Sequence, residues 1–288
     1  MGLKTIKYEV GSPIVNMGQM RLRQPFPSKG IEMIDPFLLL HHYGPYVINP
    51  FDNPFDLDPH PHRGFEPITL LFKGEQLHRD SLGNEILVKA GDVQWTTAGS
   101  GVIHAEGPSK EILEKGEELE GIQLWLNLPA HKKMIEPNYQ HLKNEDISTI
   151  QDDQGNFVMK VIAGEQNGID GKIATQTEVN VFTAEVKQSG KMTVEIPTHH
   201  ESLVYLLDGE ILVNNETILK KGASQMITFH QGGDQIELEG RRGSHMLILS
   251  GAPIKEKVIS WGPYVMNTQT EIMEALLDYQ SGKMGYLS

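Results

Sequence analysis

The chain has 288 residues, with 25 lysines and arginines against 38 aspartates and glutamates, a net charge of −13 with histidines neutral. So acidic a surface repels phosphate backbones and disfavours direct nucleic-acid binding, and the longest basic runs are pairs such as Lys132-Lys133 and Arg241-Arg242. The lack of cysteine removes disulfides, thiolate metal sites, iron–sulfur clusters and cysteine nucleophiles together.

The first residues, Met1-Gly2-Leu3-Lys4-Thr5-Ile6, carry no apolar signal core, and Ile6 stands where a myristoylation signal needs serine or threonine. No long apolar run occurs elsewhere. The expectation is a cytoplasmic protein that does not enter a membrane. Short apolar runs bounded by glycine, asparagine, aspartate or proline predict strands over 68–72, 85–88, 121–126, 157–162, 179–184, 203–207 and 246–249. Such frequent punctuation belongs to β-barrels or sandwiches. The acidic stretch 111–120 reads as a solvated loop or hairpin, and the polar, turn-prone stretch 138–153 as a linker. Helical periodicity appears only near the end, over 270–279, with Thr268 or Thr270 as its cap and Gly282 after its end.

Two segments recur. Leu70-Leu71-Phe72-Lys73-Gly74-Glu75 resembles Tyr205-Leu206-Leu207-Asp208-Gly209-Glu210, and Val88-Lys89-Ala90-Gly91-Asp92 resembles Leu219-Lys220-Lys221-Gly222-Ala223. The spacing of roughly 130–135 residues suggests two copies of one all-β unit. The expected domains are 1–140, which binds metal, and 141–288, which does not and which includes the C-terminal helix.

The metal expectation rests on His60-x-His62 and His104-x-Glu106. On a strand, residues two apart share a face, so two such pairs meeting in a barrel offer three nitrogens and one oxygen. That set suits a divalent first-row ion, Fe(II) above all, with other metals of the row as alternatives and positions left for a substrate. Histidine–x–histidine, strand, glycine turn, strand and a later histidine is the cupin pattern, a double-stranded β-helix or jelly roll. Glu66 has the parity of His62 and competes with Glu106 as the carboxylate ligand; Glu106 is favoured and Glu66 is given a supporting role. In the second copy His199 and His200 are adjacent, so on a regular strand they would point to opposite faces and could not share an ion. Arg63 and Arg79 are candidates to orient a substrate, with surface charge as the plainer reading. Gln94 and Gln123 can line the barrel, while Trp95 and Trp125 are read as core.

At these residues the chain resembles the pirin family of bicupins. The resemblance is carried by His60-Pro61-His62-Arg63-Gly64-Phe65-Glu66, by His78-Arg79-Asp80-Ser81, by Ala90-Gly91-Asp92-Val93-Gln94-Trp95 through Ile103-His104-Ala105-Glu106, and by Gly262-Pro263-Tyr264-Val265-Met266-Asn267-Thr268. It departs at His41-His42-Tyr43 and at Ser100, where many members have acidic residues and an arginine respectively. The resemblance implies an all-β fold of two tandem cupin barrels with a short C-terminal helix, one iron site at His60, His62, His104 and Glu106, and a second barrel without metal. It also implies one of two functions. The first is a flavonol (quercetin) 2,4-dioxygenase-like oxidoreductase using O2, with Glu106 as catalytic base and a flavonol or other chelating enol as substrate. The alternative is a non-catalytic, redox-sensing iron protein acting through a protein partner.

Overall fold

The computed structural model describes residues 2–287, so Met1 and Ser288, the outermost positions of the two expected domains, lie outside the described residues. The chain is mostly β-strand, with a single long helix among the described residues, Gln269–Gln280. No helix among the described residues is long and apolar enough to cross a membrane.

Each of the seven expected strands is present, lengthened at one or both ends; the 121–126 run, for example, becomes Glu118–Asn127. Glycine explains the punctuation: Gly74 (φ 79°) and Gly209 (φ 84°) close matching turns in a backbone conformation that a Cβ disfavours. The long helix begins at Thr268, whose side chain accepts from the Glu271 N–H while Glu271 returns to the Thr268 N–H.

Two expectations fail. The 111–120 stretch contains a helix, Lys110–Lys115, capped by Ser109 and ended by Gly116 in the left-handed region, with Ile112 buried. The 138–153 stretch is not a linker: Asn138–Leu142 pairs with Val93–Thr97, and Ser148–Gln151 pairs with Phe157–Ala163. Both are edge strands with one neighbour, so neither needs a continuous apolar run.

The chain forms two compact units, and neither follows the division at residue 140. One comprises 1–13, 28–36 and 146–253; the other comprises 14–27, 37–145 and 254–288. The N-terminal strand Ile6–Gly11 pairs with Ser224–Phe229 and so completes the sheet of the unit built mainly from the second half of the chain. The C-terminal helix belongs to the unit that carries His60, because Ile272, Ala275 and Met284 bury against Ile103, Tyr264 and Met266.

Within each unit a seven-stranded and a four-stranded antiparallel sheet enclose the core, and the sheet orders agree. In one, the four-stranded sheet runs Leu57–His62, Val102–Pro108, Glu75–Asp80, Glu85–Lys89; in the other, Gly190–Glu195, Gln235–Gly240, Glu210–Val213, Thr217–Lys220. Taken in chain order, both read first, fourth, second, third. This is the internal repeat seen at the level of pairing: two jelly-roll barrels.

Candidate metal centre

Three neighbouring strands build the centre. Val102–Pro108 lies between Leu57–His62 and Glu75–Asp80, placing His104 opposite His60 on one side and Glu106 opposite His78 on the other. Directly opposed residues on one face of a sheet have side chains within reach of each other. The pairing slips between His104 and Glu106, an irregularity of the kind that re-aims side chains beside active sites.

The imidazoles of His60, His62 and His104 converge, with ring centres 4.4–4.9 Å apart. Their donor atoms lie within 4.8 Å of one another. His60 Nε2 and His104 Nε2 are separated by 2.9 Å, and His60 Nδ1 is held by the Asp58 carbonyl at 2.8 Å. A ligating imidazole is usually oriented in that way through its other nitrogen. His62 and His104 are buried, while His60 is half-buried and marks the open side. Both nitrogens of His62 and Nδ1 of His104 make no hydrogen bond of normal geometry. Buried polar atoms are rarely left so, and one nitrogen from each of His60, His62 and His104, all within 4.8 Å of one another, fits a divalent cation. Burial, then the neighbouring imidazoles, push His62 and His104 well below the usual histidine range. Both are therefore neutral near pH 7, the form that ligates metal.

Glu106 is placed differently from the three histidines. Its carboxylate groups with His104 and His78 rather than with all of the first three. It accepts from Gln94 Nε2, from Gln123 Nε2 at 3.3 Å and from Thr69 Oγ1 at 3.5 Å. Burial works to raise its pKa, but hydrogen bonding and charge from His78, with further help from His60 and Gln94, outweigh it, so the group stays ionised. A cleft of about 30 Å3, room for a water or two, adjoins Glu106 and is lined by Tyr43, Gln76 and Gln123 among apolar side chains.

His78, quoted above only within the family motif and assigned no role there, is fully buried and central. Its Nε2 meets Asp80 Oδ2 at 3.1 Å, its Nδ1 lies 3.9 Å from Glu106 Oε1, and its ring stacks on Tyr139 at 4.5 Å. Burial alone would lower its pKa, but Asp80 and Glu106 raise it. His78-x-Asp80 repeats the one-residue spacing of the other pairs, and that parity was the available signal.

Glu66 is set apart from the centre. Its Oε1 accepts from Trp95 Nε1 at 3.1 Å and Thr97 Oγ1 at 2.6 Å. Parity with His62 does not carry through, because one strand ends at His62 and the next begins at Phe65, with Gly64 at φ 85° between them. A Cβ at Gly64 would collide with the Val265 carbonyl. Arg63 is no substrate clamp: it is buried, its Nε donates to the Ser100 carbonyl at 2.7 Å, and its Nη1 pairs with Asp278 at 2.9 Å. Trp95 is core as expected, whereas Trp125 is only partly buried and meets the His62 ring at 5.7 Å.

In the other barrel the same register positions are aliphatic. Val194 opposes Ile236 where His60 opposes His104, and Val213 opposes Leu238 where His78 opposes Glu106. Val204, between Ile227 and Ile248, stands where Thr69 lies between Gln94 and Gln123. All seven aliphatics belong to one buried cluster.

The Pirin family profile matches residues 19–126, and the profile of the pirin C-terminal cupin domain matches 181–285. The chain belongs to the pirin family. Pirin of Rattus norvegicus is 35% identical over 269 residues, covering 92% of this chain and 88% of the relative. A Pseudomonas aeruginosa protein named "Putative quercetin 2,3-dioxygenase" is 35% identical over 250 residues, covering 87% and 86%. The crystal structure of a quercetin 2,3-dioxygenase from Acinetobacter baumannii superposes with a TM-score of 0.91 at 34% identity, covering 99% of this chain and 100% of that one. Pirin YhhW of Escherichia coli, solved with nickel(II), shares the fold at a TM-score of 0.66 and 16% identity, covering 85% and 99%. The bicupin architecture expected from the sequence is therefore the family's own.

Proposed function

We propose that this pirin-family protein is a metal-dependent dioxygenase that opens a flavonol-like chelating enol with O2. The convergence of three imidazoles with one half-exposed side carries the reading. His60, His62 and His104 would hold a divalent first-row ion, Fe(II) first among them, with Glu106 as the anionic fourth ligand. When bound, the ion supplies Lewis-acid and template chemistry for an enolate and O2, leading to ring opening with loss of carbon monoxide.

The chain's own residues prepare the proton transfer. Glu106, kept ionised, takes the enol proton at its carboxylate, within reach of His78 and of the small cleft. Asp80 fixes the His78 ring through Nε2 and so leaves Nδ1 facing Glu106. Gln94, Gln123 and Thr69 hold Glu106 by hydrogen bonds that must loosen when the carboxylate turns to a ligand or a proton. The names of the Pseudomonas and Acinetobacter relatives support the substrate class.

The test is oxygen uptake by iron-loaded protein with quercetin and other chelating enols, with His104→Ala as the control. Substrate-dependent uptake that vanishes in the variant is expected. Metal retained with no turnover on any chelating enol would sink the enzymatic reading and leave the iron-sensing regulator as the better one.

A further inference from the structure

A second cluster stands outside that chemistry, in the other barrel. His199 and His200 lie in a turn ahead of strand Glu201–Asp208, held by the His200 N–H donating to the Pro197 carbonyl at 3.1 Å. The strand alternation that would separate adjacent side chains does not operate in a turn. The two rings meet instead, with centres 4.7 Å apart. Their Nε2 atoms lie 3.1 and 3.0 Å from the same oxygen, Glu178 Oε1. Adjacent donors that each sit about 2.1 Å from one ion are spaced roughly 3.0–3.4 Å apart.

The buried member of the cluster is tied down as a ligand is. His200 is 1% exposed, and its Nδ1 meets Ser250 Oγ at 3.1 Å, which itself accepts from Asn180 Nδ2 at 3.2 Å. Such an outer partner sets the tautomer and aims the other nitrogen. Burial keeps this imidazole neutral. Glu178 and His200 line a cleft of about 730 Å3 that also carries Glu165, Asp170, Glu195 and Asp234. The Lys4 ammonium acts on His200 in the same sense as burial, while Glu178 acts in the opposite one. A plain surface ion pair explains less, since it would not require the Ser250–Asn180 tether on a buried ring.

We infer that Glu178, His199 and His200 form a second divalent-cation site at the cleft of this barrel, suited to a borderline first-row ion such as zinc or nickel. It is independent of the aliphatic interior and shares no residue with the centre at His104.

Metal-stripped full-length protein is titrated with zinc, and the bound equivalents are counted by calorimetry and equilibrium dialysis. Wild type is compared with His199→Ala and Glu178→Gln, two exposed positions whose replacement leaves the core untouched. The expected result is one equivalent fewer in the variants, with an unchanged Tm for the stripped protein. This difference is read against His104→Ala, so a failure of the first centre lowers every count without erasing it. Loss of one equivalent in either variant supports the site; wild-type stoichiometry and affinity in both overturns it.

Discussion

Arg63 and Asp278 are far apart in sequence and joined at 2.9 Å, with the guanidinium buried and its residue next in sequence to His62. The same stretch is gripped by backbone bonds, Arg63 N–H to Pro263 and Val265 N–H to Arg63. Lys133 Nζ adds a third grip by donating to the Gly64 and Val265 carbonyls and to Asn127 Oδ1. The segment that follows the candidate ligands His60 and His62 is thus held by residues 263–278 and by Lys133.

Asp278→Asn leaves the Arg63 charge buried without its anion. Breaking such a pair, with Asp278 partly exposed, is expected to cost about 1–2 kcal/mol. Urea unfolding checks this, and metal affinity should fall in parallel. An unchanged midpoint and unchanged affinity would remove the clamp from the account.

Glu66 gives a pH signature. Burial raises its carboxyl to about 7, against the hydrogen bonds from Thr97 and Trp95. A folded-state pKa above the unfolded one means that the native protein binds the extra proton, so this contribution is full below about pH 4.5 and is lost as pH rises through about 7. Wild type should therefore lose about 3 kcal/mol relative to Glu66→Gln between pH 4.5 and 7.5. Parallel pH–stability curves for the two proteins would rule this out.

Glu106→Gln keeps the shape of the site and removes the base. Turnover of a chelating enol is expected to fall by about 10²–10⁴-fold, the usual worth of a positioned proton acceptor. Iron content should fall less than in His104→Ala, because three imidazoles remain. Quercetin-dependent oxygen uptake and elemental analysis measure the two effects, and wild-type turnover would dismiss Glu106 as the base.

Val194→His with Ile236→His places two imidazoles at the register of His60 and His104 but inside an aliphatic core. Without Asp58-, Gln94- or His78-like partners the rings stay unsatisfied, and a loss of at least about 2 kcal/mol is expected, with no rescue by zinc. Stability equal to wild type, or raised by zinc, would show that the second barrel needs no such support.

Much of this was readable in the sequence wherever one local rule was decisive. Glycine turns bound the strands, Thr268 is one of the two caps the sequence offers for the helix, and one-residue spacing puts His60 with His62 on one strand and His104 with Glu106 on another. What was illegible depended on context that parity cannot see. Gly64 breaks the strand between His62 and Glu66, the turn at Thr198–His199 undoes the alternation, and Asn138–Leu142 is polar because it has a neighbour on one side only. The Lys110–Lys115 helix is too short to show a period. The destination of the N-terminal strand and the C-terminal helix is set by pairing over long sequence distances, and no local pattern records it.

The order of synthesis gives the exchange of termini a temporal meaning. A nascent chain that has reached residue 253 already holds every strand of both seven-stranded sheets. It still lacks Pro263, Val265 and Asp278, the groups that fasten Arg63 at the end of the histidine-bearing strand. The grip on Arg63 is thereby completed only after every strand of both sheets has been made, and a chain truncated at residue 253 is expected to keep the sheets and to lose the grip beside His60 and His62.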